Sequence, residues 1–338
     1  MESEIIKRLS QWRIGKKPGP YSIELSPTLK CNLNCKFCWR HEKKEIEFGK
    51  ELTKEDYFKL LDEAKKMDVK EIKIIGGGEP TFRRDTIKIM QKIKELGFFG
   101  YICTNGTMFT KKDIELLVKI KWNHLKISFH GPDEKTHDYL TNVQGSFKEV
   151  IKNINLINQF KAEFKSNLPF IEFGFVLGNK NFKKVPDMIK LANKLKINAV
   201  FVEPITVYSD TGEKMKLNNK EEKEFGTIAK NSFKLSDSLG ISTNLMNFFN
   251  QGLIQKTNSM QNILLSKKNS SDSFLSIPCY EPFYRVGIRS DGIVCPCGFL
   301  DEGSTQNIKE KSLNEVWLGK YFEKRRKETY QKEENIES

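Results

Sequence analysis

Long apolar runs are missing from this chain. No stretch approaches the roughly 20 consecutive apolar residues that cross a bilayer, so no membrane insertion is expected. The segment from Met1 to Pro20 carries Lys7, Arg8, Arg13, Lys16 and Lys17 without the apolar run of a signal peptide, and a cytoplasmic location is the expectation. No repeat recurs at the periods of about 20 to 50 residues that mark solenoids and propellers. An even disulfide framework is absent as well. The seven cysteines fall into a group of three, a lone Cys103, and a second group at Cys279, Cys295 and Cys297. Grouped thiols in a chain without a secretion signal point to metal instead.

What is present is a globular balance, with 30% charged and 38% apolar residues over 338 positions. That length suffices for one large domain or a barrel with an appendage. The formal net charge is +13. Its lysines are spread along every predicted helix with acids nearby, so most of the charge reads as solvated surface. The same basicity also suits an anionic substrate, an acidic redox partner or a nucleic acid.

From Tyr21 onward, short apolar runs alternate with amphipathic stretches, the pattern of repeated βα units and a parallel sheet. Strands are expected at Tyr21–Leu25, Glu71–Ile75, Phe99–Cys103, His124–Phe129, Phe170–Leu177 and Ala199–Val202. Helices are expected at Thr53–Met67, Arg84–Leu96, Thr110–Ile120, Phe147–Phe160, Phe182–Lys196 and 218–239. Thr53 with Asp56, and Thr110 with Asp113, have the spacing of an N-cap and its reciprocal acid. An Asn- and Ser-rich stretch, Thr257–Ser273, reads as a linker, and Cys103 as a small apolar core residue.

The most informative feature is Cys31-Asn-Leu-Asn-Cys-Lys-Phe-Cys38, a C-x-x-x-C-x-x-C loop just after the first strand. Three thiolates are one too few for a closed tetrahedral zinc or for an electron-transfer cluster, which wants about four. They can hold three irons of a four-iron cube and leave the fourth open to a ligand that is not protein. A zinc ribbon completed by distant cysteines is the alternative. After the second strand comes Gly76-Gly-Gly-Glu-Pro80, where the glycines admit a ligand close to the backbone and Glu79 can accept from an ammonium group. Thr104-Asn-Gly106 follows the third strand and Ser128 ends the fourth. Reactive groups of a parallel βα barrel gather at such strand ends.

Together, the cysteine loop and the glycine–acid motif resemble the radical S-adenosylmethionine (SAM) enzymes. The resemblance implies an α/β fold, a partial (β/α)6 barrel. It implies a 4Fe-4S cluster on Cys31, Cys35 and Cys38, with SAM chelated at the open iron. It further implies that Gly76, Gly77, Gly78 and Glu79 hold the SAM amino group, and that Phe37, Thr104, Ser128 and Leu177 contact SAM. For Thr104 and Ser128 the alternative is capping at strand ends; for Leu177, core packing. In His137-Asp-Tyr-Leu-Thr141 the family position of an arginine that pairs with the SAM carboxylate is Thr141. Trp39-Arg40-His41 is similar to the wybutosine-forming tRNA enzymes.

The C-terminal group, Val286-Gly-Ile-Arg-Ser-Asp-Gly-Ile-Val-Cys-Pro-Cys297 with Cys279 before it, resembles the SPASM or twitch extension in abbreviated form. Asp291-Gly292 would turn a β-hairpin, and Ser312 with Glu315 would cap a final helix. The resemblance implies one auxiliary iron–sulfur cluster on Cys279, Cys295 and Cys297, with zinc as the alternative. The domain expectation is an extension over 1–20, a radical SAM partial barrel over 21–215, a helical connector and linker over 216–273, and a small iron–sulfur unit over 274–338. The implied function is reductive cleavage of SAM to a 5'-deoxyadenosyl radical that abstracts a hydrogen atom from an unidentified substrate, a peptide, a sugar-like or another small molecule. The implied partner is an electron donor such as flavodoxin or ferredoxin. An RNA-modifying radical SAM enzyme and a non-enzymatic metal-binding protein on the same fold stay open.

Overall fold

A computed structural model of the chain describes residues 2–41, 49–249, 279–296 and 304–334. Cys297 and the Thr257–Ser273 linker fall outside the described residues. In chain order the elements begin with α1 (Glu2–Arg13), β1 (Ser22–Leu25), α2 (Lys54–Lys66), β2 (Glu71–Ile74), α3 (Thr86–Glu95), β3 (Phe99–Thr104) and α4 (Lys111–Lys119). They continue with β4 (His124–Ser128), α5 (Glu134–Thr141), α6 (Ser146–Glu163), β5 (Phe170–Leu177), α7 (Val185–Lys194), β6 (Ala199–Pro204), α8 (Asp210–Met215), α9 (Asn219–Ser238) and β7 (Ser242–Thr243). Last come β8 (Arg285–Ile288), β9 (Val294–Cys295), α10 (Leu313–Trp317) and α11 (Lys320–Glu334).

The described residues of 1–30, 47–102 and 268–338 form one compact unit, and those of 31–46 and 103–267 form a second. In the first unit β1 lies between β2 and β8 and is parallel to both, with β3 parallel beyond β2. The strand β9 runs antiparallel to β8, and Gly292 at the turn has a φ of +91°, a conformation that favours glycine. The hairpin expected at Asp291-Gly292 is therefore formed. The parallel pairing of its first strand with β1 was not foreseen.

The N-terminal extension folds as α1, and its polar side chains do the fastening. Arg8, 2% exposed, donates to the carbonyls of Gly19 and Asp68, each at 2.6 Å. Trp12 Nε1 donates to Phe283 O at 2.9 Å and Trp317 Nε1 to Pro18 O at 2.8 Å. The Arg326 guanidinium of α11 lies 4.3 Å from both tryptophan rings. Planar cation–aromatic stacking is worth about 2 kcal/mol or more once desolvated, so these contacts secure both chain-terminal segments to the first unit.

Capping works as its spacing predicts. Thr53 and Asp56 close a reciprocal box on α2, Thr110 and Asp113 on α4, and Ser312 and Glu315 on α10. Each box satisfies backbone N–H groups that a helix start leaves orphaned. On α2 the apolar face Tyr57, Leu60, Leu61 and Ala64 is buried. The helix expected over 182–196 instead opens as a 3-10 turn, Phe182–Lys184, and becomes α-helical at Val185, where Pro186 falls in the first turn and removes no intrahelical donor.

In the second unit β4, β5, β6 and β7 are parallel neighbours. Alternation gives their sheet two different faces. Leu125, Ile127, Ile171, Phe173, Phe175, Val200 and Val202 are all no more than 2% exposed and form the apolar face, against which helices such as α7 pack. The opposite, open face carries Lys126, Ser128, Glu172, Phe201 and Glu203.

Candidate metal and cofactor site

The cysteine loop belongs to the second unit, and main-chain hydrogen bonds hold it. Asn34 N donates to Thr141 O at 3.2 Å and Lys36 N to Leu140 O at 3.0 Å, so the last carbonyls of α5 are satisfied by the loop itself. Within the loop Cys38 N donates to Cys35 O at 3.0 Å and Leu33 N to Cys31 Sγ at 3.4 Å. Asn105 extends the cradle: its Nδ2 reaches Asn32 Oδ1 at 2.8 Å and lies 4.0 Å from Cys31 Sγ. Hydrogen bonds to ligand sulfurs are one means by which proteins set cluster potentials.

The loop offers three thiols as its donor set, which fits an iron–sulfur cluster. Burial, then the neighbouring Cys38 and Cys31, push the Cys35 thiol up to about 12, so these sulfurs feel one another. In a four-iron cube each thiolate takes a different iron. Binding iron would also relieve the cost of three crowded thiolates, because a metal deprotonates its thiols outright.

Behind the loop, Phe37 meets the His130 ring edge-on at a centroid distance of 5.0 Å. His130 is locked by three elements. Its N donates to His137 Nδ1 at 3.1 Å, Val176 N donates to its Nδ1 at 3.2 Å, and Asn181 Nδ2 donates to its carbonyl at 2.9 Å. Burial, then the His137 and Lys126 charges, bring the His130 pKa down to about 3; burial brings His137 to about 4. Both imidazoles are therefore neutral packing groups at neutral pH. Thr141 is buried too, its hydroxyl bonded to His137 O at 3.0 Å and lying 2.8 Å from Ser146 Oγ. It is part of the α5–α6 joint.

Of the other predicted contacts in this unit, Thr104 is 2% exposed and accepts from Gly106 N at 3.0 Å, and Leu177 is 2% exposed in the core. Ser128 Oγ lies 3.9 Å from Cys103 Sγ on the open face. Cys103 is half-buried there, so the small-apolar-core reading of that residue does not hold, because β3 turns it away from the helices.

The glycine–acid motif belongs to the first unit, where it interlocks with the chain leading to the cysteines. Gly78 N donates to Thr28 O at 2.9 Å, Glu79 N to Lys30 O at 2.8 Å, and Gly77 N to Ser26 Oγ at 3.0 Å. A Cβ on Gly78 would collide with the Lys30 carbonyl and lie 2.5 Å from Leu29 C. The glycine is thus needed for chain-to-chain approach one residue before Cys31. Glu79 is 3% exposed, and its Oε1 accepts from Thr81 N at 3.0 Å, capping the short turn Pro80–Phe82.

The two described C-terminal cysteines also lie in the first unit. Cys295 is fully buried on β9 opposite Gly287, and Cys279 is exposed just ahead of the turn Glu281–Phe283.

Sequence reasoning passed over Lys126 and Glu172 on the open face of the second unit, where they join Glu203. Lys126 Nζ lies 3.2 Å from Glu203 Oε1, 3.4 Å from Glu172 Oε1 and 4.6 Å from the Phe201 ring centroid. Gly174 makes room for it, since a Cβ there would sit 2.6 Å from Lys126 Cε. Burial opposes the lysine's charge, but Glu203, Cys103 and Glu172 outweigh it and hold its pKa above the ordinary value. Alternation of Lys126 with Ile127 and of Glu172 with Phe173 was the available signal.

Residues 25–192 match the radical SAM superfamily, and residues 279–337 match the SPASM iron–sulfur cluster-binding domain. The AdoMet-dependent heme synthase of Methanosarcina barkeri is 25% identical over 302 residues, which cover 88% of this chain and 82% of that protein. A probable GTP 3',8-cyclase of Saccharolobus islandicus is 30% identical over 180 residues; the match spans about half of each chain, 53% and 54%. Among solved structures, Streptococcus suis SuiB bound to S-adenosylmethionine gives a TM-score of 0.67 at 20% identity, over 93% of this chain and 67% of that one. The enzyme anSMEcpe with bound AdoMet gives 0.63 at 18%, over 90% and 79%. At those identities the structures speak for the fold alone. The two matched domains show that this α/β chain belongs to the radical SAM superfamily and carries a SPASM iron–sulfur domain.

Proposed function

We propose that the chain cleaves SAM reductively and uses the product radical to take a hydrogen atom from a substrate. The observation that carries this is the cysteine loop: three neighbouring thiols on a backbone already bonded to α5. Cys31, Cys35 and Cys38 hold the 4Fe-4S cluster, and Gly76, Gly77, Gly78 and Glu79 receive the SAM amino group. Phe37, Thr104, Ser128 and Leu177 contribute packing and hydroxyl contacts to SAM. When bound, cluster and SAM supply one electron to the sulfonium and the 5'-deoxyadenosyl radical that follows. The protein's own task is to orient the substrate and exclude water from it.

Cys279, Cys295 and Cys297 hold one auxiliary cluster in this reading. The open face of the second unit, with Lys126, Glu172, Phe201 and Glu203, meets the substrate. That substrate is a peptide, a sugar-like or another small molecule; the solved SuiB complex with the precursor peptide SuiA is one instance of the first on this fold. Anaerobic reconstitution, followed by reduction with SAM, tests the reading. The expected result is 5'-deoxyadenosine together with about eight irons per chain. A loaded, reducible cluster that yields no 5'-deoxyadenosine would overturn it.

A further inference from the structure

The chain as a whole is strongly basic at +13, yet the open face of the second unit carries the opposite sign. Its charged groups can be counted strand by strand. On β4 they are Lys126, with His124 at the strand's start, on β5 Glu172 and on β6 Glu203, while β7 brings none. One ammonium therefore faces two carboxylates. Glu172 is the inner carboxylate, with Oε1 3.4 Å from Lys126 Nζ and Oε2 3.2 Å from His124 Nε2. Burial opposes its charge, but His124 and Lys126 outweigh burial and hold its pKa below the ordinary value.

Glu203 is the outer carboxylate. Its side chain is 48% exposed, and its partner among the described residues is Lys126, an amine already shared with Glu172. The charge that Lys126 leaves unbalanced thus collects at Glu203. Two residues back on the same face of β6 lies Phe201, a large apolar ring left half-exposed. Lys126 Nζ rests 4.6 Å from the centroid of that ring, and its side chain is only 12% exposed. An incoming anion would have to draw Lys126 away from two carboxylates and a ring, against the repulsion of Glu203. An incoming cation meets an accessible carboxylate, with the ring as an apolar wall for the carbons beside its charge.

We propose that Glu203 and Phe201 select a substrate that carries an organic cation, an ammonium or guanidinium group on an apolar stem. This rests on the reading that the open face meets the substrate of a radical SAM enzyme. Glu203 takes the cationic head and Phe201 the stem. Lys126 and Glu172 are positioning residues, since Lys126 holds one oxygen of Glu203 and is itself held by Glu172.

The test uses the reconstituted holoenzyme with SAM, 2-phenylethylammonium as the probe, and 3-phenylpropanoate as the control with the same ring and stem but the opposite charge. Calorimetric titrations at about 50 mM and about 0.5 M salt read both. The ammonium is expected to bind about tenfold more tightly than the carboxylate at low salt, and the gap should shrink at high salt. Glu203→Gln should erase that preference and Glu203→Asp should keep most of it. Phe201→Ala should weaken the ammonium about threefold and leave the preference in place. Iron content checks that each variant is folded and loaded. Ammonium binding no tighter than the carboxylate's, or a preference that survives Glu203→Gln, overturns the proposal and leaves the enzyme reading standing. Tighter carboxylate binding that is lost in Lys126→Met also overturns it, by assigning the face to an anion. A loaded, reducible cluster that forms no 5'-deoxyadenosine overturns the enzyme reading, and the substrate role of this face with it.

Discussion

The two cysteine groups are built in opposite ways. Cys31, Cys35 and Cys38 sit on one loop whose backbone is already bonded to α5, with all three half-buried. In the C-terminal group Cys295 is sealed in a β-hairpin and Cys279 is exposed. Pre-organisation lowers the ordering cost of binding. The first loop therefore suits the reaction centre, where ligand geometry must be reproducible, and the second suits a site assembled from separate segments.

Removing thiols should break this comparison most sharply. Cys35→Ala is expected to abolish SAM cleavage and to lower iron from about eight to about four per chain. Replacing Cys279, Cys295 and Cys297 together by Ala should remove a similar amount of iron yet leave substrate-independent SAM cleavage within a few-fold. Equal loss of 5'-deoxyadenosine in both variants would show that the two groups are not functionally distinct.

Acid should weaken the support behind the first loop. His130 and His137 have folded pKa values of about 3 and 4, below the roughly 6.5 of an unfolded imidazole. The unfolded chain then binds more protons in that window, so stability is complete above pH ~6.5 and is lost as pH falls toward the folded values. By pH ~5 the loss is about 2 kcal/mol for each imidazole. Urea unfolding at pH 7 and pH 5 measures it, and an unchanged midpoint would remove the neutral-imidazole lock.

Two glycines give a matched pair of smaller effects. Gly78→Ala forces the Lys30 carbonyl aside and is expected to cost about 2 kcal/mol or more, with lower iron retention at the first loop. Gly292→Ala, at φ +91° with Asn307 Oδ1 2.5 Å from the added carbon, should cost about 1–2 kcal/mol and disturb the C-terminal hairpin. Thermal melts and iron analysis of both variants separate the two groups; iron loss confined to the same group in each would contradict it. The smallest effect expected is about 1 kcal/mol for Asp138→Ala, which uncaps α6 and is read from a urea titration.

Much of this was legible in the sequence for local reasons. The strand Phe170–Leu177 has the expected bounds, and the other five strands differ by no more than a residue or two. Alternation and reciprocal caps act within a few positions, so they survive being read one segment at a time. The helix α5 was overlooked because Glu134–Thr141 is short and mixes Asp, Thr and His into its apolar spacing. Lys126 and Glu172 were overlooked because the group they form with Glu203 comes from three different strands.

What the sequence determined by itself was the spacing of three thiols, the placing of motifs at strand ends, and the caps that start α2, α4 and α10. What only the tertiary structure decided was which backbone holds the loop, which strand β8 would join, and how far Lys126 reaches. The reason is physical: the loop hangs on the carbonyls of Leu140 and Thr141, and β8 on the main chain of β1. Every residue carries such groups. A bond between them leaves no mark in residue identity until the chain has brought them together.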